Sequence, residues 1–383
     1  MASRRGVNVM HFWGQRDRPL SPSEIARKDP ILAQSPMPTD LREMASRRSL
    51  YVSAPAGKHP AAKLVKIDEG NGRSLWQVNI PNQVGQQVIA LPGRTAVRTT
   101  PEEVVAAIDP AVSVSGKRPD WLHQLYQPRT LPRAAEPRLQ RFNGRRVTPM
   151  YVFGNDSRQP YQDTSYPWGC VGKVYNSEGK IGSGALVYGD IVVTAGHVVP
   201  WNDVYNHNWW MRFVPDYFNG SSLYGAGVES YVSDVLGYDT GNQVAGYDWA
   251  ICKLYTPVGQ QAGYFGFNGY DSGWDGLNVW TVLGYPVAIA GGEEPSWQGG
   301  IDIHDDDGDS NGGQELESNN SAVTPGDSGG PIFAWWGSDP RVVGVVSGQE
   351  EEYQFPFSTD DNNIFSSGSG FANLIAWGRS NWG

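Results

Sequence analysis

The stretch of the chain best suited to chemistry is a glycine-rich loop around one serine, Pro325-Gly326-Asp327-Ser328-Gly329-Gly330-Pro331. A serine hydroxyl becomes a strong nucleophile only when a base takes its proton and fixed donors hold the developing oxyanion. Glycines on both sides let the backbone turn tightly, so that the N–H groups of Gly326 and Ser328 can point into one site. The loop therefore predicts a nucleophilic serine, although a plain turn between strands can have a similar composition.

A base and an acid precede this loop in the chain. His197 follows the apolar run Ile191–Ala195, and Asp248 opens the apolar run Trp249–Leu254. Taken alone, the histidine could be a core residue whose ring nitrogens are hydrogen-bonded, and the aspartate could be a turn residue at the start of a strand. A buried carboxylate needs a partner, however, and orienting an imidazole through Nδ1–H is such a partnership. Five other aspartates compete for this role without leading into a comparable strand: Asp190, Asp203, Asp216, Asp234 and Asp239.

The elements that must position these residues are short strands. From about Val147 onward, β-rich runs alternate with clusters of Gly, Asn, Asp and Ser, which is typical of an antiparallel barrel or sandwich. A helix closes the chain, because Phe371, Leu374, Ile375 and Trp377 lie at helical spacing. The predicted strands are Cys170–Tyr175, Gly184–Tyr188, Ile191–Ala195, Trp249–Leu254, Val279–Leu283, Pro331–Ala334 and Val342–Val346.

Residues 1–146 differ in composition from the rest of the chain, since Pro and Arg recur throughout. They are predicted to form a loosely ordered leader. Two pieces of it show structural signals. Leu64–Ile67 and Leu75–Ile80 flank a Gly-Asn-Gly turn and predict a hairpin. Thr100 offers an N-cap ahead of a proline and a capping-box glutamate, which predicts a short helix over Glu102–Ile108.

Charge is divided unevenly along the chain. The leader holds 23 Lys and Arg against 12 Asp and Glu, whereas residues 147–383 hold 7 against 28. Such a pattern fits either nucleic-acid binding by the leader or docking of the leader on the acidic part. The basic residues are spread out without interleaved aromatic residues, which favours docking over nucleic acid. No apolar run approaches the roughly 20 residues of a membrane span, and the start lacks the apolar core of a secretory signal.

Two further features leave alternatives open. The only cysteines, Cys170 and Cys252, exclude a disulfide-rich fold and a multi-cysteine zinc site, and they either pair or serve as small buried hydrophobic residues. The acidic segment Asp302–Asn311 offers oxygens to calcium, but its glycine does not fit an EF-hand register. A solvated acidic loop is therefore the preferred interpretation, and no metal or cofactor is predicted.

Three motifs together resemble the chymotrypsin-like serine protease family over roughly residues 150–383. They are Thr-Ala-Gly-His ending at His197, Asp-Trp-Ala-Ile-Cys-Lys-Leu starting at Asp248, and Gly-Asp-Ser-Gly-Gly-Pro around Ser328. The order His, Asp, Ser differs from that of subtilisins and of α/β-hydrolases. Val152–Arg158 and the Gly-Tyr-Pro ending at Pro286 are similar to the microbial branch that includes glutamyl endopeptidases.

The resemblance implies an all-β fold of two antiparallel six-stranded β-barrels with a C-terminal helix, formed by residues 147–383, with the active site between the barrels. In this family His197 acts as general base and then acid, Asp248 orients it, and Ser328 attacks. The N–H groups of Gly326 and Ser328 form the oxyanion hole. The strand Val342–Ser347 lines the substrate channel, which implies Ser347 and Gly348 as channel residues, with Ser347 near Asp248.

The resemblance also bears on specificity and activation. The channel strand lacks the histidine of glutamyl endopeptidases, and Ala322 stands six positions before the serine where trypsin-like specificity needs an aspartate. In animal members a freed apolar N-terminus pairs with the aspartate before the serine, here Asp327. Cleavage within residues 146–152 frees Val147 or Val152 for that role and makes residues 1–146 a propeptide that inhibits the enzyme or assists folding.

We therefore expect a secreted, monomeric zymogen of a serine endopeptidase that acts on peptides or proteins. Its own propeptide is the expected partner, without nucleic acid or membrane. Two alternatives remain, namely a narrow processing protease or esterase on the same scaffold, and a catalytically silent binding module.

Overall fold

The computed structural model describes residues 18–55, 64–70, 73–81, 93, 100–105, 113–132, 156–241, 243–354 and 358–383. Within the leader, β1, β3 and β2 form a separate antiparallel sheet in that order. The predicted hairpin corresponds to β2 and β3, whose turn lies outside the described residues, as does the end of the predicted helix. The leader elements are α1 (Pro22–Ile25), α2 (Thr39–Ala45), β1 (Arg47–Pro55), β2 (Leu64–Gly70), β3 (Arg73–Pro81), α3 (Pro101–Val105) and β4 (Ser113–Val114).

A closed barrel of six antiparallel strands follows the leader, in the order β12–β13–β8–β7–β6–β9. Its strands are short and almost wholly buried; in β8 every residue is apolar or threonine. The elements of this half are β5 (Gln159–Pro160), β6 (Val171–Asn176), β7 (Ile181–Leu186), β8 (Ile191–Thr194), α4 (Trp201–Tyr205), β9 (Met211–Pro215), β10 (Tyr217–Phe218), β11 (Ser221–Ser222), β12 (Ser230–Gly237) and β13 (Ala250–Leu254).

The second half forms a larger sheet, in which β17–β18–β21–β20–β19–β15–β16–β5 lie side by side and β14 joins β20 to β4. The leader strand β4, the short strand β5 and an acidic hairpin are added to it, so this sheet has ten strands where six are expected in a barrel. Its elements are α5 (Gly259–Ala262), β14 (Gly266–Asn268), β15 (Asn278–Gly284), β16 (Ser296–Asp302), β17 (Asp305–Gly308), β18 (Gln314–Ser318), β19 (Pro331–Trp336), β20 (Asp339–Gln354), β21 (Ser358–Ser367) and α6 (Ser369–Asn381).

The all-β class, the first barrel and the C-terminal helix are thus confirmed. Helix α6 buries Phe371, Leu374 and Ile375, as their spacing predicts. The buried apolar side chains form two clusters, a large one centred on the first barrel and a smaller one within the second sheet. Among the described residues, no helix is both long and apolar enough to cross a membrane.

Parts of the leader pack onto both halves of the protein. Ile25, Leu122 and Tyr126 are buried in the larger core cluster. Strand β4 pairs with β14, and the backbone N–H of Leu20 donates to the carbonyl oxygen of Trp335 at 2.7 Å. These described leader segments are therefore part of the packed structure rather than a detached tail.

Candidate active site

The adjacency of β8 and β13 brings His197 and Asp248 together. Thr194 at the end of β8 is paired with Ala250 at the start of β13. His197 lies in a single 3-10 turn just beyond β8, and Asp248 lies just before β13. Two residues that are far apart in sequence therefore meet at one end of the barrel.

Asp248 is completely buried and accepts four hydrogen bonds. Its Oδ1 accepts from the backbone N–H of His197 at 2.8 Å and from the Thr240 hydroxyl at 3.0 Å. Its Oδ2 lies 2.7 Å from His197 Nδ1 and accepts from the Ser347 hydroxyl at 2.6 Å. Burial acts to raise the pKa of Asp248, but the bonds from His197 and Ser347 outweigh it and hold the pKa below the ordinary value. The carboxylate is therefore kept ionised beside the imidazole.

The glycine before His197 is required by close packing. A Cβ on Gly196 would lie 2.5 Å from the carbonyl oxygen of Tyr238 and 2.9 Å from Asp248 Oδ1. Any side chain at this position would push the histidine turn away from the carboxylate. Close packing thus explains the glycine in the Ala-Gly-His sequence.

Ser328 reaches the same site from the second sheet, in the turn before β19. Residue Ser183 on β7 ties this turn to the first barrel in two ways. Its N–H donates to the carbonyl oxygen of Ser328 at 2.8 Å, and its hydroxyl donates to that of Gly326 at 2.7 Å. Among the described hydrogen bonds there is none between Ser328 and His197; such bonds are often formed only when substrate is bound.

The backbone at Gly326 has a conformation that favours glycine. Its φ is +101°, and a Cβ there would lie 2.3 Å from the carbonyl oxygen of Tyr285. The carbonyl oxygen of Pro325 accepts from the N–H of Val287 at 2.8 Å. Because C=O and N–H point to opposite sides of a trans peptide, the N–H of Gly326 is directed away from Val287. Within the described residues, the N–H groups of Gly326 and Ser328 have no protein acceptor.

An open cleft of about 430 Å³ lies between the two halves. No described leader residue lines it. Gln349 Nε2 is buried at its wall without a partner among the described residues. The lining includes His197, Val198, Gln243, Val244, Gly326, Ser328, Ser347, Gly348 and Gln349.

The predicted activation residue Asp327 is already paired in the intact chain. The Arg158 guanidinium donates from NH1 to Asp327 Oδ2 at 2.9 Å, and both side chains are buried. Burial raises the pKa of Asp327 to about 6, against the opposing effect of Arg158. The predicted termini Val147 and Val152 lie outside the described residues.

The acidic segment and the cysteines lie away from the cleft. Part of the segment forms β17, which pairs with β18; the carboxylates of β17 are exposed or half-buried, whereas Glu317 on β18 is buried. The described residues contain no group of three or more His, Cys, Asp or Glu side chains placed to hold a metal ion. Cys170 and Cys252 are both buried and unpaired, so of the two alternatives the small buried hydrophobic residue is correct.

Comparison with known proteins adds a decisive observation. The family model Trypsin matches residues 156–356, more than half of the chain. The chain belongs to the trypsin family. It is therefore a serine peptidase, and the histidine, aspartate and serine described above lie within the matched region.

Two solved structures similar to this trypsin-family chain have low identity. A Glu endopeptidase in complex with MPD is 16% identical, with a TM-score of 0.47 over 60% of this chain and 100% of its own. A thermostable serine protease from an extremophilic microorganism is 21% identical, with a TM-score of 0.40 over 56% and 98%. No curated protein matches the chain.

Sequence reasoning missed four residues of this trypsin-family site: Arg158, Ser183, Thr240 and Gln349. Arg158 and Ser183 act through partners distant in sequence, Thr240 through a side-chain hydrogen bond to Asp248 and Gln349 through its place in the cleft wall, none of which local patterns show. Only Arg158 carried a signal, because a cation near the start of the domain is a possible partner for a buried aspartate.

Proposed function

We propose that the protein is an endopeptidase that cleaves peptide bonds with His197, Asp248 and Ser328 as its catalytic triad. The observation that carries this is the buried Asp248, which holds the His197 ring at 2.7 Å beside the cleft that Ser328 lines. A carboxylate at this place fixes the imidazole tautomer and stabilises the imidazolium that forms during the reaction. The cleft is open at both the histidine and the serine.

The reaction has two stages, acylation of Ser328 and hydrolysis of the acyl-enzyme. Ser328 Oγ attacks the carbonyl carbon of the scissile bond while His197 Nε2 takes the hydroxyl proton. The N–H groups of Gly326 and Ser328 stabilise the oxyanion, and collapse expels the amine, which receives the proton from His197. Water then repeats the sequence on the acyl-enzyme, releasing the acid and restoring Ser328.

Ser347 and Gly348 are proposed to line the substrate channel, and Gln349 extends this wall with an amide N–H that has no described partner. A substrate group that accepts a hydrogen bond would satisfy this donor. Narrow processing activity or esterase activity on the same scaffold is the alternative. Digestion of a peptide library separates a broad endopeptidase from a narrow one.

We also propose that residues 1–146 are a propeptide of a secreted zymogen, removed by cleavage within residues 146–152. The excess of basic residues in the leader and of acidic residues after it supports docking between the two. Its described segments pack on both halves and leave the cleft uncovered, which favours a role in folding over direct blocking of substrate.

The test is covalent labelling by a fluorophosphonate, read as intact mass. We expect one adduct on the wild-type chain and none on Ser328→Ala, because the probe reacts with an activated serine. Ser366→Ala is the matched control, since Ser366 is also buried but donates to the Ala245 carbonyl oxygen away from the cleft. If neither the full-length nor the processed wild-type chain is labelled, the catalytically silent binding module is correct.

A further inference from the structure

The buried pair of Arg158 and Asp327 has no role in the mechanism above. Arg158 is only 3% exposed at its side chain and Asp327 only 2%. A buried charge is costly unless it is paired and hydrogen-bonded, so a pair at this depth is held by the surrounding structure. It lies next to the serine in sequence, because Asp327 stands between Gly326 and Ser328.

The guanidinium is fixed from a second side. Asp156 accepts from Arg158 Nε at 3.0 Å and from NH2 at 2.8 Å. This fork geometry orients the guanidinium plane and leaves NH1 directed at the serine loop. The pairing with these two carboxylates outweighs the effect of burial and raises the pKa of Arg158, so the cation persists at any working pH.

NH1 holds the loop at two points. Besides Asp327 Oδ2, it donates to the Thr324 hydroxyl at 2.7 Å. The same carboxylate oxygen accepts from the N–H of Thr324 at 2.9 Å. The backbone of residues 324–327 is thereby closed into a compact turn, which contains the N–H of Gly326 and is followed directly by the N–H of Ser328.

The other oxygen of Asp327 is enclosed by backbone. A Cβ on Gly284 would lie 2.3 Å from Asp327 Oδ1 and 3.0 Å from its Cα. Among the residues that the structure describes, Arg158 is the cation paired with this carboxylate. A freed N-terminus would first have to displace the guanidinium.

We propose that Arg158 is a positioning residue that holds the oxyanion loop in its working form, so that the uncut chain is competent for acylation. The inference rests on the proposed function and changes what cleavage of the leader does. Removal of residues 1–146 then alters the access of substrate to the cleft or the lifetime of the enzyme. Formation of the oxyanion hole does not depend on a new N-terminus at Val147 or Val152.

The experiment compares fluorophosphonate acylation rates of full-length wild type, Arg158→Met and Arg158→Lys. Intact mass confirms that each chain is uncut, and thermal melting confirms that it is folded. Arg158→Met should acylate about a hundredfold more slowly, comparable to the loss of one oxyanion-hole donor. Arg158→Lys should recover part of the rate, because it restores a cation.

Arg379→Met is the matched control. Arg379 is also largely buried, but it donates to the carbonyl oxygens of Val187 and Phe265 and has no contact with the serine loop. We expect it to lower the melting temperature and leave the acylation rate unchanged. Guanidinium chloride at millimolar concentration should raise the rate of Arg158→Met but not of Arg379→Met, with sodium chloride as the salt control.

Each outcome decides the question. If Arg158→Met acylates like wild type, the inference is wrong and the proposed function stands. If the uncut wild type is inert but the processed chain is labelled, the inference is again wrong and cleavage is the switch. If neither is labelled, the proposed function itself fails. Should Arg158→Met not fold, Arg158→Gln supplies N–H donors without the charge, and an unchanged rate would overturn the inference.

Discussion

Two buried aspartates, one in each half of the catalytic domain, are stabilised in different ways. Asp248 at the end of the first barrel accepts four hydrogen bonds, two of them from His197. Asp327 in the second half relies on Arg158 and on the N–H of Thr324. Burial opposes ionisation of both, yet the pKa of Asp248 is lowered and that of Asp327 is raised to about 6. The set of donors, rather than depth alone, decides in which direction the pKa of each carboxyl group shifts.

The comparison also shows how the two halves depend on each other. Ser347 on β20 in the second sheet completes the surroundings of Asp248 in the first barrel. In return, Ser183 on β7 in the first barrel holds the carbonyl oxygens of Ser328 and Gly326. Each half thus supplies one serine to the functional residues of the other, so docking of the halves completes the site.

The largest expected effect comes from Asp248→Asn. The amide keeps the shape but favours the wrong imidazole tautomer, so acylation by a fluorophosphonate should slow by roughly 10⁴-fold. The measurement is the second-order labelling rate at neutral pH, with circular dichroism as the control for folding. A loss under tenfold would show that Asp248 does not orient the histidine.

The pH dependence of stability should separate the two aspartates. A raised pKa means that the folded chain holds a proton that the unfolded chain has lost, so the contribution of Asp327 to stability falls as pH rises from about 4 to 6. A shift in the pKa of Asp327 from 3.8 to about 6 corresponds to a change in the free energy of unfolding of about 3 kcal/mol at most. Because the pKa of Asp248 is lowered, the stability that Asp248 contributes to the folded chain is lost only as the pH falls below about 4.

Urea denaturation between pH 4 and 7 measures this difference. The gap in unfolding free energy between wild type and Asp327→Asn should shrink or reverse as pH rises to 6 and stay level above it. The gap between wild type and Asp248→Asn should stay level across the same range. Parallel pH curves for wild type and Asp327→Asn would contradict the raised pKa.

Parts of the site and of the fold could be predicted from the sequence. His197 and Asp248 each lie beside an apolar strand within a recognisable motif, so their adjacency follows once β8 and β13 pair, whereas Ser328 reaches them from the second sheet. Helix α6 was equally accessible, because its buried residues repeat at 3.6-residue spacing.

Other contacts were beyond the reach of local patterns. Strand β4 in the leader and strand β5 after it have two residues each, too few to show alternation, so the strand pairings that they make were not predicted. Strand β20 runs to Gln354, well past the predicted Val346, because its outer part pairs with β21 despite a run of charged residues. The partner of Asp327 was missed because 169 residues separate it from Arg158.

The smallest expected effect comes from removing one hydroxyl from Asp248. Ser347 donates to Oδ2, the oxygen that also holds His197 Nδ1, whereas Thr240 donates to Oδ1. Loss of one hydrogen bond to a charged group costs about 1.5 kcal/mol at the lower end of its usual range, so Ser347→Ala should slow acylation by about tenfold. Thr240→Val should slow it less, because its bond is longer and lies on the oxygen farther from the ring. The measurement is the labelling rate of each variant at one pH. If Thr240→Val slows labelling as much as Ser347→Ala or more, both oxygens of Asp248 support the histidine alike.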